Sequence, residues 1–159
     1  MCRAGLATAR WVTVDDTAAR HARKDGFTTQ IGDNRFAAFR TGTSKSREAF
    51  LSVLRAGHTD YVVNAAALDY MRGHGLSGQV IAQLDAHPAK RFADTSAWSA
   101  HLARLGIVQL AIAPDPVRVT PEGALWGAVC HHGLLCEAVI VSDGAGQFRV
   151  GTHALCWAV

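Results

Sequence analysis

The chain has 159 residues, of which 49% are hydrophobic and 18% charged, and its formal net charge is +3. That balance suits one folded unit with a real core and excludes a disordered acidic or basic tail. No apolar run approaches the roughly 20 residues of a membrane helix, so no membrane partner is expected.

The first residues, Met1 to Leu6, carry neither a long apolar core nor a cleavage pattern, so no secretory signal is expected. Four cysteines at irregular spacing read as free thiols, which points to a cytoplasmic protein. Arg10 to Asp15 alternates and is β-branched, which predicts a strand ending at Asp15. Phe27 to Ile31 predicts a second strand, Gly32-Asp33-Asn34 a hairpin turn, and Arg35 to Thr41 a third strand antiparallel to the second. A three-stranded meander therefore opens the chain.

From Lys45 to Gly106 the pattern turns mostly helical. Ser46 suits the cap of a helix burying Phe50, Val53 and Leu54 and closed by Gly57. Tyr61-Val62-Val63 reads as a short strand or as the lead into a helix through Leu68 and Met71. Gln79 to Leu84 predicts a short helix. Trp98, His101, Leu102 and Leu105 share one helical face stopped by Gly106. Beyond the apolar run Ile107 to Ala113, Thr120-Pro121-Glu122 has the form of a helix start, with a capping hydroxyl, a first-turn proline and a carboxylate at the positive end of the dipole. Gly123 and Gly127 weaken that helix. Ala138 to Val141 then predicts a strand buried on both faces in the middle of a sheet. The fold class is α/β with a mixed sheet.

Carboxylates stand at the ends of two predicted core strands: Asp15 with Asp16, and Asp143. Ligands of open α/β sheets bind at such ends. Two carboxylates brought together there are best tolerated around a divalent cation, and Mg2+ prefers these hard oxygen ligands. Against this stands a plain alternative, because Asp143-Gly144 is also a turn signal. Cys130, His131, His132 and Cys136 have zinc-ligand chemistry, but the first three are consecutive on a predicted helix and point apart. Trp98, Trp126 and Trp157 read as core aromatics. Arg20, Arg23 and Lys24, with His21 among them, and Lys45 with Arg47 form basic clusters suited to a phosphate backbone.

Trp11-Val12-Thr13-Val14-Asp15-Asp16-Thr17, then Val141-Ser142-Asp143-Gly144-Ala145-Gly146-Gln147-Phe148, then His153-Ala154-Leu155-Cys156-Trp157-Ala158, resemble the catalytic core of bacterial DDE transposases. The insertion-sequence-sixty-six family is the nearest in pattern. The resemblance implies a ribonuclease-H-like mixed sheet over residues 1–159, with an antiparallel meander, then a helix and a parallel fourth core strand, and a helical insertion at 45–106. It implies Asp15 and Asp143 as the first two catalytic and metal-binding acids, with Asp16 a possible further ligand. Mg2+, or Mn2+ in its place, is the implied cofactor, with the two-metal site incomplete. Transposon-end DNA is the implied partner, with Arg20, Arg23, Lys24, Lys45 and Arg47 as backbone contacts. Full-length transposase and self-association are further expected partners.

The pattern departs from that family in three places. No residue matches the third acid, which in the family follows the Cys-Trp-Ala segment. The first catalytic strand begins within about ten residues of Met1, where the family carries DNA-binding segments. Gly144 stands where relatives often have another acid. The expectation is a fragment of a transposase with little catalysis of its own. A non-enzymatic module that binds DNA or transposase is the alternative from another class, and a ribonuclease-H-like nuclease is the alternative enzyme.

Overall fold

A computed structural model describes residues 3–21, 24–135 and 137–156, with side chains at 19–21, 24 and 25 left out. The chain divides into two compact units, residues 1–57 with 133–159, and residues 58–132. The expected insertion at 45–106 is thus shared between them: its first helix belongs to the first unit. No helix among the described residues is long and apolar enough to cross a membrane.

The first unit is built on a five-stranded mixed sheet. Its strands are β1 (Trp11–His21), β2 (Lys24–Gly32), β3 (Ala37–Gly42), β6 (Val139–Ser142) and β7 (Thr152–Leu155), in the order β3-β2-β1-β6-β7. β1, β2 and β3 form the antiparallel meander. β1 also pairs in parallel with β6, and β6 in parallel with β7. The hairpin between β2 and β3 is held by Asp33, whose Oδ1 accepts from the backbone N–H groups of Arg35 and Phe36. β1 does not end at Asp15. It runs to His21, because β2 pairs with it over its outer half, Asp15 facing Gln30 and Asp16 facing Thr29. Cross-strand pairing here overrides the weak strand propensity of Asp-Asp-Thr-Ala-Ala.

Period-2 alternation sorts the sheet's faces. Val12, Val14, Ile31 and Ile140 bury one face together with Leu6 of α1 (Arg3–Thr8) and Phe50, Leu51 and Leu54 of α2 (Arg47–Leu54). Ser46 caps α2, its Oγ accepting from the Ala49 N–H at 3.1 Å. Phe50 meets Phe148 edge to face at 5.0 Å. On the other face Trp11 and Phe39 are exposed. β6 is central, as expected, but only one of its faces is fully buried, since Val139 and Val141 are half-buried.

The second unit is mostly helical: β4 (Tyr61–Val62), α3 (Ala65–Gly73), α4 (Gly78–Ala86), β5 (Arg91–Phe92), α5 (Thr95–Arg104) and α6 (Pro116–His131), with β4 and β5 antiparallel. Its core holds Tyr61, Leu68, Met71, Leu84, Trp98, Leu102, Leu125 and Val129. α6 starts five residues earlier than a Thr120 cap suggests. Two cap-then-proline signals occur in this stretch, and the chain uses the first: Asp115 Oδ1 accepts from the Val117 N–H, and Pro116 opens the helix. Thr120 instead donates its hydroxyl to the Pro116 carbonyl at 2.8 Å, and buried Glu122 accepts from the Tyr70 hydroxyl at 2.7 Å. The glycines that weaken this helix in isolation let it pack closely. A Cβ on Gly127 would lie 2.2 Å from the Val62 carbonyl oxygen, and one on Gly123 would lie 2.8 Å from Met71.

Candidate functional site

The parallel ladder between β1 and β6 pairs Trp11 with Val139, Val12 with Ile140 and Thr13 with Val141. The ladder ends there, and Asp15 and Asp143 each lie two residues past its last pair. Asp15 therefore lies mid-strand relative to β2 but past the end of its ladder with β6. It is exposed, and its carboxylate makes no hydrogen bond or ion pair with any described residue. Asp143 is also exposed, and its Oδ1 accepts from the Ala145 N–H at 3.0 Å. That bond folds the chain into a turn in which Gly144 takes φ +93°. A side chain on Gly144 would be strained there, and its Cβ would lie 2.9 Å from Leu155. The turn reading of Asp143-Gly144 and the carboxylate reading of Asp143 are thus compatible.

Asp16 points to the opposite face, as successive strand residues must. Thr29 Oγ1 donates to its Oδ1 at 2.5 Å, and Gln147 Nε2 to its Oδ2 at 3.3 Å. Beside it Ser142 Oγ lies 2.8 Å from His153 Nε2 and accepts from the Gly144 N–H at 3.2 Å. Through Gln147 and the Gly144 N–H, these hydrogen bonds position the 143–147 loop. The carboxylates of Asp15 and Asp143 are both open to solvent.

The basic residues divide differently. Arg47 Nη2 donates to the Gly146 carbonyl at 2.7 Å and so anchors the same loop to α2. Lys45 Nζ lies 4.7 Å over the Phe27 ring, a cation–π contact. Arg23 falls outside the described residues, as do the side chains of Arg20 and Lys24. Trp98 and Trp126 are buried, while Trp157 and Cys136 fall outside the described residues.

In the second unit the structure gathers a group that spacing alone does not show. His58 and Asp60 precede β4, and His132 caps the C-terminus of α6. His132 Nε2 donates to the Asp60 carboxylate, 2.9 Å from each oxygen, and Arg91 Nε donates to Asp60 Oδ2 at 2.9 Å. The imidazoles of His58 and His132 stack at 3.5 Å between centroids, 6° from parallel. Burial pushes the Asp60 carboxyl up, but the hydrogen bond and charge of His132 and the bond from Arg91 outweigh it and hold the group below its ordinary value. Of these residues the sequence singled out His132 alone, beside Cys130, His131 and Cys136. His58-Thr59-Asp60 was the available signal: two polar ligand types flanking one residue just before an apolar strand.

The uncharacterized protein y4jO of Sinorhizobium fredii (strain NBRC 101917 / NGR234) is 51% identical to this chain over 157 residues. The match covers 99% of this chain and 48% of that protein, so the chain spans about half the length of the curated relative it matches. No protein-family model and no solved structure matches the chain.

Proposed function

We propose that this chain is a cytoplasmic catalytic-core segment of a DDE-type transposase with a ribonuclease-H-like sheet, whose parent activity is divalent-metal-dependent cleavage and joining of DNA strands. One observation carries the proposal: Asp15 and Asp143, picked out by sequence motifs 128 positions apart, each follow by two residues the last pair of the parallel β1–β6 ladder. The antiparallel meander ahead of the parallel pair is the strand arrangement that the motifs imply, and it supports the same reading.

The donor set fits Mg2+ or Mn2+. Both side chains are exposed carboxylates, and hard oxygen ligands with room for water suit these ions. Asp15 and Asp143 would hold the ion; Asp16 faces away, with both its oxygens engaged. When bound, such an ion polarises a phosphoryl oxygen and makes a bound water or hydroxyl more nucleophilic. The protein's own contribution is positional. Ser142, Asp16, Gln147 and Arg47 fix the turn that carries Asp143, so its carboxylate is presented at a set height on the sheet. No acid in these residues matches the family's third ligand, so this segment supplies two of three carboxylates and catalyses weakly by itself. The longer relative has room for the remainder of such a core.

The test is nicking of supercoiled plasmid by the purified chain with Mg2+ or Mn2+, with an RNA–DNA hybrid assayed in parallel. Expected is slow, metal-dependent plasmid nicking that disappears in Asp15→Asn and in Asp143→Asn. Nicking that survives either change overturns the assignment. Preferential cleavage of the hybrid replaces transposase with a ribonuclease. Salt-dependent DNA binding with no nicking at any metal concentration leaves a binding module.

A further inference from the structure

We infer that His58, Asp60 and His132 form a binding site for a divalent transition-metal ion, Zn2+ above all, within the 58–132 unit. The site is separate from the strand-end carboxylates and does not rest on the transposase proposal.

The ligand types come first. One ligand atom from each of the three residues lies within 4.8 Å of the other two, and among the described residues no other group of three or more His, Cys, Asp or Glu does this. Two imidazoles and one carboxylate suit zinc and its neighbours in the first transition row; Mg2+ and Ca2+ prefer all-oxygen sets. Three protein ligands leave a fourth tetrahedral position open to water or to an added ligand.

The spacing of His132 and Asp60 is close to what the ion needs. Metal–ligand bonds of about 2.0–2.1 Å place tetrahedral ligand atoms about 3.3 Å apart. His132 Nε2 and the Asp60 oxygens are 2.9 Å apart. They share a proton at present, and an ion would take that proton's place with a small outward movement of both groups. His58 stacks flat on His132 at 3.5 Å between centroids, so its ring must turn out of the stack to aim a nitrogen at the same ion.

The surroundings add a supporting shell. Arg91 holds the Asp60 carboxylate through Oδ2 while His132 Nε2 meets both of its oxygens. Outer partners of this kind orient metal-binding carboxylates and histidines. Asp60 is buried at 5% exposure, while both histidines are half-buried, so the group is held from beneath and open above. The fold places these residues through Gly127. Its missing side chain lets α6 lie against the Val62 carbonyl, and five residues later His132 arrives beside the start of β4. His58 and His132 are also the first and last residues of the unit, so an ion would staple its two ends.

The test uses the full chain, stripped of metal and titrated with Zn2+ by calorimetry and with Co2+ by absorption. Expected is one equivalent of tightly bound Zn2+ and a tetrahedral Co2+ spectrum without a thiolate charge-transfer band. His58→Gln and Asp60→Asn should each weaken binding by about tenfold or more, and Zn2+ should raise the unfolding temperature of the wild type but not of the variants. His58→Gln is the safer variant, because it removes no buried charge. Unchanged affinity in His58→Gln overturns the site. So does a thiolate band, which would assign the ion to cysteines. So does equal response to Mg2+, or no binding of any of these ions.

Discussion

Gln147 Nε2 donates to Asp16 Oδ2 at 3.3 Å, joining the loop after β6 to a strand 131 positions earlier in the chain. With Thr29 on the other oxygen, this makes Asp16 a positioning group for the loop. Asp15, one residue away, faces solvent with no such partner. The two neighbours should therefore separate by experiment. Asp16→Ala removes two hydrogen bonds to a charged, half-buried acceptor and is expected to destabilise the first unit by about 1–2 kcal/mol. Asp15→Ala is expected to change stability by about 0.5 kcal/mol or less. Hydrogen exchange of the β1 and β6 amides measures both, and equal losses of protection would contradict the assignment.

A second prediction concerns the close approach of α6 to β4. Gly127→Ala drives a Cβ to 2.2 Å from the Val62 carbonyl oxygen, and backbone rather than a flexible side chain must give way. The expected cost is about 3 kcal/mol, read as a fall in thermal midpoint with early loss of protection in residues 58–132. Gly78→Ala is the control. It sits in α4 with nothing within 4 Å of the new methyl, so it should be neutral or slightly stabilising, by up to about 1 kcal/mol. Similar behaviour of the two variants would mean that the helix does not lie so close.

Much of this architecture could be read from the residues, and the exceptions have physical causes. The meander, the Ser46 cap and the central late strand follow from local pattern, because alternation and capping act over a few residues. The far end of β1 did not follow, since residues 16–21 become strand only through pairing with β2. The start of α6 was displaced because Asp115-Pro116 and Thr120-Pro121 give the same local signal, and tertiary packing chooses between them. α1 was missed: a six-residue helix has too few turns to show a period, and only Leu6 of it is buried. Asp15 and Asp143 were picked out by motifs, but the separation of Asp16 from Asp15 needed the strand and its hydrogen bonds. The group of His58, Asp60 and His132 was hidden because its ligands are brought together from opposite ends of the unit, and short-range spacing carries no trace of that.

A third prediction concerns pH. His101 is 1% exposed, its Nε2 has no hydrogen-bond partner among the described residues, and its ring stacks on Phe92 at 4.3 Å. Burial lowers its pKa below the ordinary 6.5, and the positive charges of His87, edge-on at 4.6 Å, and of Arg104 lower it further. Trp98, the remaining ring against it, carries no charge. The folded state then binds fewer protons than the unfolded chain between the lowered pKa and about 6.5, so stability rises with pH across that window and is lost on acidification. The thermal midpoint should climb from pH 5 to pH 7, and His101→Gln should flatten the climb. An unchanged slope in the variant would assign the acid sensitivity to other groups.

The last prediction tests a shared ion at Asp15 and Asp143 without relying on catalysis. A weakly bound Mn2+ ion broadens the NMR signals of amides within a short radius. If the β1–β6 register continues to the strand ends as its three pairs indicate, one ion held by both carboxylates should broaden residues 14–16 and 142–145 together, at the same Mn2+ concentration. Asp15→Asn should then remove the broadening at 142–145 as well as at its own strand, and Asp143→Asn should do the reverse. Each loss crosses to a strand that the substitution leaves untouched. Asp16→Asn should leave most of the effect in place, because its side chain lies on the other face of the sheet and its oxygens are already engaged. Should each variant silence only its own strand, the two carboxylates bind ions independently, and the strand ends form two separate acidic spots instead of one shared metal site.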